Sequence, residues 1–261
     1  MKTESGKQKI SMTTIVLSVV LAALVISTLS VFVIYPAAHK YHVAHRSYPV
    51  YGGLTDELKD SEYFSDMQSG RSFCFLGDSI TYGSATEGIH WYQPLMPYIQ
   101  GDITDLSHSG WTVKSLIDEG DNIPVADIYV IAIGINDILF PYNDDSARTS
   151  DDFVNRCSQL GDILTARSPG AKIYFIAPWS FVDIDISFVK RGDEFRNALE
   201  EWCADTDYIY INPDPVIQSV IAEEGSDKYM CNDFHPNAPD GVGLFSYAVL
   251  KEALNIKEDA V

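Results

Sequence analysis

Cysteine is scarce in this sequence, and the spacing of the four cysteines excludes the common zinc-binding patterns. No two of them are separated as C-x-x-C, and none combines with a histidine at the spacing of a zinc ligand set. We therefore predict no metal site. In an oxidising compartment Cys203 and Cys231 are a candidate disulfide pair, although free, buried thiols are the simpler interpretation.

Basic residues are scarce relative to acidic ones. The chain of 261 residues contains 18 Lys and Arg against 37 Asp and Glu, which gives a net charge of −19. An electrostatic field of this sign repels nucleic acid and anionic lipid. We expect no nucleic-acid partner and interpret the charge as a solvated acidic surface.

The common nucleotide-binding motifs and the nucleophile motif of one large class of serine hydrolases are also absent. Neither G-x-x-x-x-G-K-[ST] nor G-x-G-x-x-G occurs, so nucleotide binding has no support from the sequence. No serine lies within G-x-S-x-G, the nucleophile motif of the α/β-hydrolases. A serine hydrolase of that fold is therefore disfavoured.

One long apolar run is present near the N-terminus. Residues 13–35, TTIVLSVVLAALVISTLSVFVIY, carry no charge and are long enough to cross a hydrocarbon core of roughly 30 Å as a helix. We predict a transmembrane anchor there, preceded by a tail at residues 1–12. The small residues at 36–38 also suit a cleaved secretory signal, but the apolar region of a signal spans only about 7–15 residues.

The charges that flank this run predict its orientation. Basic residues are more numerous before the run than after it: Lys2, Lys7 and Lys9 precede it, and Lys40 and Arg46 follow it. The more basic side of a membrane span faces the cytoplasm. We therefore expect a single-pass protein of the cell membrane, with its N-terminus cytoplasmic and the rest of the chain extracytoplasmic.

The remainder of the chain divides into a lead-in segment and one domain. Residues 36–70 lack sustained periodicity and have the composition of a stalk. Over residues 71–258, short apolar runs alternate with helical patterns, which predicts a parallel sheet covered on both faces, a three-layer α/β/α domain. The predicted strands cover residues 72–76, 127–134, 172–178 and 208–212, with a weaker one at 103–107, and the predicted helices cover residues 154–167, 188–205 and 239–254.

Three segments with polar or aromatic residues follow the ends of predicted strands. Ser79 lies in FLGDSITYG, directly after the first strand, where a hydroxyl either caps the next helix or serves as a nucleophile. Asn136 and Trp179 follow two other strands. Because ligands of such sheets bind beyond the carboxyl ends of the strands, we expect a site at this rim.

A nucleophilic serine needs a base and hydrogen-bond donors for the oxyanion. Gly110, in SHSGWT, lets the backbone N–H approach a ligand closely. Asn136, in IGIND, offers an amide donor, although it also suits an Asx turn. His235, in NDFHPN, is the candidate base; the alternative is a surface loop histidine.

The segments GDSITYG, SHSG, GIND and DFHP resemble, in this order, the four sequence blocks of the SGNH hydrolases, also called the GDSL family. The resemblance spans roughly residues 71–255. It implies a flavodoxin-like α/β/α sheet and a cofactor-free site in which Ser79 attacks an ester carbonyl. It also implies that the backbone N–H groups of Ser79 and Gly110 and the amide of Asn136 bind the oxyanion, and that His235 is the base.

The histidine block departs from the family pattern. The family places an aspartate three residues before the histidine, and this chain has Asn232 there, with Asp233 one residue later. We expect the loop to bring Asp233 to His235; the alternative is a neutral orienting residue, Asn232. Asp78 resembles the structural aspartate of the family and is a weaker candidate for this role.

The substrate is less closely defined than the chemistry. Trp111, directly after Gly110, is a candidate substrate contact. The blocks and the anchor together favour an extracytoplasmic carbohydrate esterase or O-acyltransferase that acts on small acyl groups, such as acetyl, on glycans. The alternatives are a lysophospholipase or thioesterase and a catalytically silent glycan-binding domain. The sequence does not indicate an oligomeric state.

Overall fold

Two apolar strands form the centre of a parallel sheet. β1 (Phe73–Gly77) and β3 (Ile128–Ala132) are buried at every position, because FCFLG and IYVIA are almost entirely apolar and the hydroxyl of Tyr129 donates to the carbonyl of Pro124. The computed structural model describes residues 20–21, 23–28, 30 and 48–256. Within this part of the chain the sheet has five strands.

The strand order brings three of the family blocks side by side. β2 (Ile103–Ser107), β4 (Lys172–Ile176) and β5 (Ile209–Ile211) complete the sheet in the order β2-β1-β3-β4-β5, and every neighbouring pair is parallel. Gly77 is in register with Ser107 of β2 and with Ala132 of β3. The carboxyl ends of β2, β1 and β3 therefore meet at one rim.

Helices that pack together in two separate groups cover the sheet, which confirms the three-layer α/β/α architecture. The shorter helices are α1 (Asp56–Lys59), α2 (Glu62–Gln68), α3 (Ser79–Tyr82), α4 (Val113–Glu119) and α5 (Ile135–Leu139). The longer ones are α6 (Ser150–Arg167), α7 (Ile186–Ala204), α8 (Asp214–Glu224) and α9 (Asp240–Ala253). α6 contacts α4 and α7, whereas α9 contacts α2 and α8.

The first helices belong to the same compact unit as the sheet. The chain divides between Ser47 and Tyr48, so residues 48–70, which the sequence assigned to a stalk, are part of the domain. Tyr63 and Leu58 are buried in its core. The periodicity is hard to detect because α1 and α2 are short, and each is started by a hydroxyl cap, Thr55 and Ser61 respectively.

The N-terminal unit is described only in part. Residues 20–21 and 23–28 are helical. Among the described residues, no helix combines the length and the apolar character needed to cross a membrane. Most of the anchor predicted for residues 13–35 lies outside the described residues.

The four cysteines are free, so the disulfide considered for Cys203 and Cys231 does not form in this structure. Cys203 is buried on α7, whereas Cys231 is exposed on the loop before α9. Burial raises the pKa of the Cys203 thiol to about 12, which keeps it protonated and unreactive.

Candidate active site

Ser79 is presented by a tight connection between β1 and α3. Gly77 ends the strand where a Cβ atom would lie 2.2 Å from Oγ1 of Thr81, so no larger residue fits without displacing its neighbours. The next residue, Asp78, caps α3 by accepting a hydrogen bond from the N–H of Ile80 at 3.0 Å. Because Asp78 is the cap, Ser79 is the first residue of the helix and its hydroxyl is not used for capping.

His235 faces this hydroxyl from the loop between α8 and α9. Its Nε2 atom lies 2.8 Å from Oγ of Ser79, a hydrogen-bond distance between residues far apart in sequence. The loop is closed on itself, since the N–H of Cys231 donates to the carbonyl of His235 at 2.8 Å. The structure therefore brings the predicted nucleophile and the predicted base together.

Asn232 contacts the other ring nitrogen of His235. Its Oδ1 atom accepts hydrogen bonds from the N–H groups of Phe234 and His235, at 3.2 and 2.9 Å, and also lies 3.2 Å from Nδ1 of the imidazole. These two backbone donors fix which end of the amide is oxygen. With Nδ1 protonated, the ring donates to Oδ1 and Nε2 is free to accept the proton of Ser79.

The amide nitrogen of Asn232 lies at a similar distance, 3.1 Å, from the same Nδ1 atom. An N–H from this group would favour the opposite tautomer, in which Nε2 of His235 carries the proton and cannot act as a base. A carboxylate at position 232 would accept only, and would favour the competent tautomer alone. The neutral side chain is thus a weaker orienting group than the aspartate of the family pattern.

The expectation that Asp233 reaches His235 is corrected by this geometry. Asp233 is exposed, and its backbone carbonyl accepts a hydrogen bond from the N–H of Val182 at 2.8 Å. This bond fixes the loop to the segment after β4. The turn formed by Asn232 with the two N–H groups that follow it places residue 232, three positions before the histidine, against the ring.

Burial lowers the pKa of His235 below its ordinary value. Desolvation disfavours the imidazolium, so the neutral ring persists to lower pH than in a solvated histidine. A base must be neutral to accept a proton, and activity that depends on His235 is therefore retained above this lowered pKa and lost below it.

Gly110 lies in a turn attached to the end of β1. The N–H of Trp111 donates to the carbonyl of His108 at 3.3 Å, and Gly110, the third residue of this turn, has φ of +81°, which a side chain would disfavour. The N–H of His108 donates to the carbonyl of Gly77 at 3.3 Å. The turn that follows β2 is thereby held beside the end of β1, where Ser79 begins α3.

Asn136 lies at the start of α5, directly after β3. Its amide donates to the carbonyl of Trp111 at 2.8 Å, which fixes the side chain and connects it to the Gly110 turn. Gly134, directly before α5, has φ of +120°, and a Cβ atom there would lie 2.9 Å from the ring of Phe153, so this junction between β3 and α5 requires glycine. The amide nitrogen has a second N–H, which is available to an oxyanion.

Two buried carboxylates stabilise the loops that carry these donors. Asp137 accepts hydrogen bonds from the N–H groups of Ala147 and Val113, at 2.7 and 3.2 Å. Desolvation raises the pKa of Asp137 to about 6 and that of Asp78 to about 7. Asp137 was not identified from the sequence, although its place in GIND, beside Asn136, was a usable signal.

The tryptophans considered from the sequence occupy two different environments. Trp111 is partly exposed, and its ring centroid lies 5.7 Å from that of His108. Trp179 is buried between Trp91 and Phe245, with centroids 5.3 and 4.8 Å away. Trp179 therefore belongs to the core, and Trp111 remains a candidate substrate contact.

A cavity of about 420 Å³ lies beside β5, at the opposite side of the sheet from β2. Its walls include Glu200, Asp207, Tyr208, Tyr210 and Glu252, and none of the candidate catalytic residues lines it. No serine is among the lining residues, so we place the chemistry at the Ser79 rim instead.

The sequence matches the GDSL-like lipase/acylhydrolase family over residues 75–239. This chain belongs to that family. The match includes the serine, glycine, asparagine and histidine described above and identifies the protein as an SGNH-type serine hydrolase that acts on ester bonds. No curated protein sequence matches the chain.

Solved structures share the fold at low sequence identity. A protein from Parabacteroides merdae described as a GDSL-like lipase superposes with a TM-score of 0.63 at 19% identity, covering 74% of this chain and 99% of its own. A variant of Axe2, an acetyl-xylooligosaccharide esterase from Geobacillus stearothermophilus, gives 0.59 at 16% identity, covering 75% and 99% respectively. Unmodified Axe2, described as an acetylxylan esterase, gives 0.58 at 18% identity, covering 72% and 96%.

Exchanging Asn232 for aspartate is expected to increase turnover by about 10-fold or more, because the carboxylate would favour the competent tautomer and stabilise the imidazolium. The charge would also raise the pKa of His235, so the acid limb of the kcat/KM profile should move to higher pH. Steady-state kinetics across pH measure both effects.

Asp233→Asn is the matched control, since it makes the reverse exchange at the neighbouring residue. It should leave turnover and the acid limb close to those of the unmodified protein. A large loss in Asp233→Asn, combined with no gain in Asn232→Asp, would show that Asp233 orients His235 during catalysis.

Proposed function

We propose that this SGNH hydrolase removes small acyl groups, chiefly acetyl, from carbohydrates through an acyl-serine intermediate on Ser79. The 2.8 Å contact between Ser79 Oγ and His235 Nε2 carries the catalytic part of the proposal. The carbohydrate part is supported by the acetylxylan and acetyl-xylooligosaccharide esterase activities named for Axe2, which shares the fold.

In the first half-reaction, Ser79 Oγ attacks the ester carbonyl while Nε2 of His235 accepts the hydroxyl proton. The carbonyl electron pair moves onto the oxygen, which the N–H groups of Ser79 and Gly110 and the amide of Asn136 stabilise. Collapse of this intermediate breaks the bond to the sugar oxygen, which takes the proton from His235. Ser79 is left esterified.

In the second half-reaction, His235 accepts a proton from water, and the resulting attack releases the carboxylic acid and regenerates Ser79. A second sugar hydroxyl in place of water would receive the acyl group, and the enzyme would then be an O-acyltransferase. Both acceptors use the same residues, so the choice depends on which hydroxyl occupies the site.

Acetate release from acetylated xylo-oligosaccharide, compared with hydrolysis of p-nitrophenyl esters of increasing chain length, tests the proposal. We expect acetate release together with kcat/KM values that fall as the acyl chain lengthens from acetyl to octanoyl. A preference for octanoyl would instead indicate a lipid hydrolase or thioesterase. Sugar binding without hydrolysis of any ester would indicate a silent glycan-binding domain.

We also propose that residues 13–35 anchor the enzyme in the cell membrane, with the catalytic domain outside the cytoplasm. The uncharged run and its flanking lysines support this orientation. Protease added to intact cells should digest the domain and spare a tag at the N-terminus. Digestion that occurs only after lysis would contradict the orientation.

A further inference from the structure

Three aromatic rings form a row beside the catalytic serine. The centroid of the Tyr82 ring lies 5.8 Å from that of His108, which lies 5.7 Å from that of Trp111, with interplanar angles of 35° and 29°. Tyr82 and His108 are exposed and Trp111 is partly exposed. We name these three residues the aromatic row.

The row is positioned by the catalytic residues themselves. Tyr82 ends α3 and is three residues after Ser79, so the two side chains share one face of that turn. His108 is bound through its N–H to the end of β1, and the carbonyl of Trp111 accepts the amide of Asn136. A ligand held on the row therefore lies next to the reacting ester.

A hydroxyl contact connects the two segments that carry the row. The side chain of Ser84, two residues after Tyr82, hydrogen-bonds that of Ser109, the residue after His108. Gly110, between His108 and Trp111 in the sequence, leaves open space, because a Cβ atom there would meet no atom within 4 Å. There is room above this turn for part of a substrate.

The chemistry of the row suits a sugar ring better than an acyl chain. Its three rings are exposed or partly exposed neighbours with polar edges, inclined to one another by 35° and 29°, and an exposed aromatic face packs against the C–H face of a pyranose while the edges bind hydroxyls. Nδ1 of His108 lies 3.0 Å from the carbonyl of Ser109, which assigns the proton to Nδ1 and leaves Nε2 to accept a sugar hydroxyl. An acyl chain is held better by a concave apolar pocket.

We propose that the aromatic row is the subsite for the sugar ring that carries the ester, and that it gives the enzyme its preference for carbohydrate esters over simple ones. This assignment rests on the proposed function for its substrate class. It names Tyr82 and Trp111 as specificity-determining residues for the leaving alcohol.

The test compares acetylated xylo-oligosaccharide with p-nitrophenyl acetate as substrates of the full-length protein. In Tyr82→Ala and in Trp111→Ala, the ratio of kcat/KM for the oligosaccharide to that for the aryl ester should fall by about 3- to 10-fold, mainly through KM. Tyr82→Phe retains the ring and should preserve most of the ratio. Tyr142→Ala, at a 94% exposed aromatic outside the row, should leave the ratio unchanged.

Equal losses on both substrates in Tyr82→Ala and Trp111→Ala would overturn the proposal, since they would show a structural role. An unchanged ratio, or the same fall in Tyr142→Ala, would overturn it as well.

Calorimetric binding of deacetylated xylo-oligosaccharide to Ser79→Ala separates this proposal from the proposed function. If Ser79→Ala binds the oligosaccharide and the double variant Ser79→Ala/Tyr82→Ala binds it more weakly, the aromatic row is supported as a sugar subsite. This holds even if the unmodified enzyme releases no acetate from carbohydrate. No binding to Ser79→Ala overturns the row, even if the enzyme hydrolyses simple esters.

Discussion

Ser79→Ala is expected to lower the turnover of p-nitrophenyl acetate by about 10⁴-fold or more while the protein remains folded. The alanine removes the atom that forms the acyl intermediate, and a water held by His235 cannot replace a nucleophile positioned at 2.8 Å from its base. Residual activity would come from the oxyanion donors and from substrate binding alone. Steady-state kinetics with circular dichroism as a check on folding measure this loss.

Ser65→Ala is the matched control, because Ser65 is an exposed serine on α2 with no part in the rim. It should retain full activity. Normal turnover in a correctly folded Ser79→Ala protein would show that another residue is the nucleophile, whatever the family pattern implies.

Asn136→Ala is expected to lower kcat by about 10²–10³-fold, the loss typical of removing one side-chain donor from an oxyanion hole. KM should change little, because the amide binds the oxyanion more strongly than it binds the ground-state carbonyl. The side chain is buried and fixed by its bond to the carbonyl of Trp111, so its second N–H acts without reorganisation. Separate measurement of kcat and KM distinguishes this effect from weaker substrate binding.

Asn143→Ala controls for a general effect of losing an asparagine in this region, since Asn143 is exposed on the loop after α5. The thermal midpoint of Asn136→Ala should be measured beside it. A loss of only a few-fold in a correctly folded Asn136→Ala protein would remove Asn136 from the oxyanion hole.

The central strands were predictable because they are uniformly apolar, and no helix competes for such short runs between turn residues. β2 was a weaker prediction, and the reason is visible in the structure. It lies at the edge of the sheet, and Thr104 and Asp105 are exposed. Its pairing with β1 supplies the stability that its own composition does not.

α4 and α8 are among the helices that were not identified from the sequence. α4 has only seven residues, and its signal is a capping box between Thr112 and Ser115 rather than a long apolar face. α8 begins within NPDP, where prolines indicate a turn, although proline is well tolerated in the first turn of a helix. The short length of α4 and the ambiguous prolines at the start of α8 explain why these two helices were missed.

The pairing of Ser79 with His235 was predictable from the order of the blocks, whereas the orienting residue was not. Asn232 and Asp233 are adjacent in sequence, and the choice between them depends on the turn that the loop adopts. That turn is set by two backbone N–H groups that bind Asn232 and by the bond between Asp233 and Val182. The carboxylate of Asp233 would be the better partner for His235, but these local hydrogen bonds place Asn232 against the ring instead.

Covalent labelling with diethyl p-nitrophenyl phosphate, followed by intact-mass measurement and peptide mapping, tests whether His235 activates Ser79 as a nucleophile. We expect one diethylphosphoryl group per chain, attached to Ser79, with labelling abolished in Ser79→Ala and strongly slowed in His235→Ala. Labelling of a different residue, or no labelling of the folded, unmodified protein, would contradict the assignment of Ser79 as a nucleophile activated by His235.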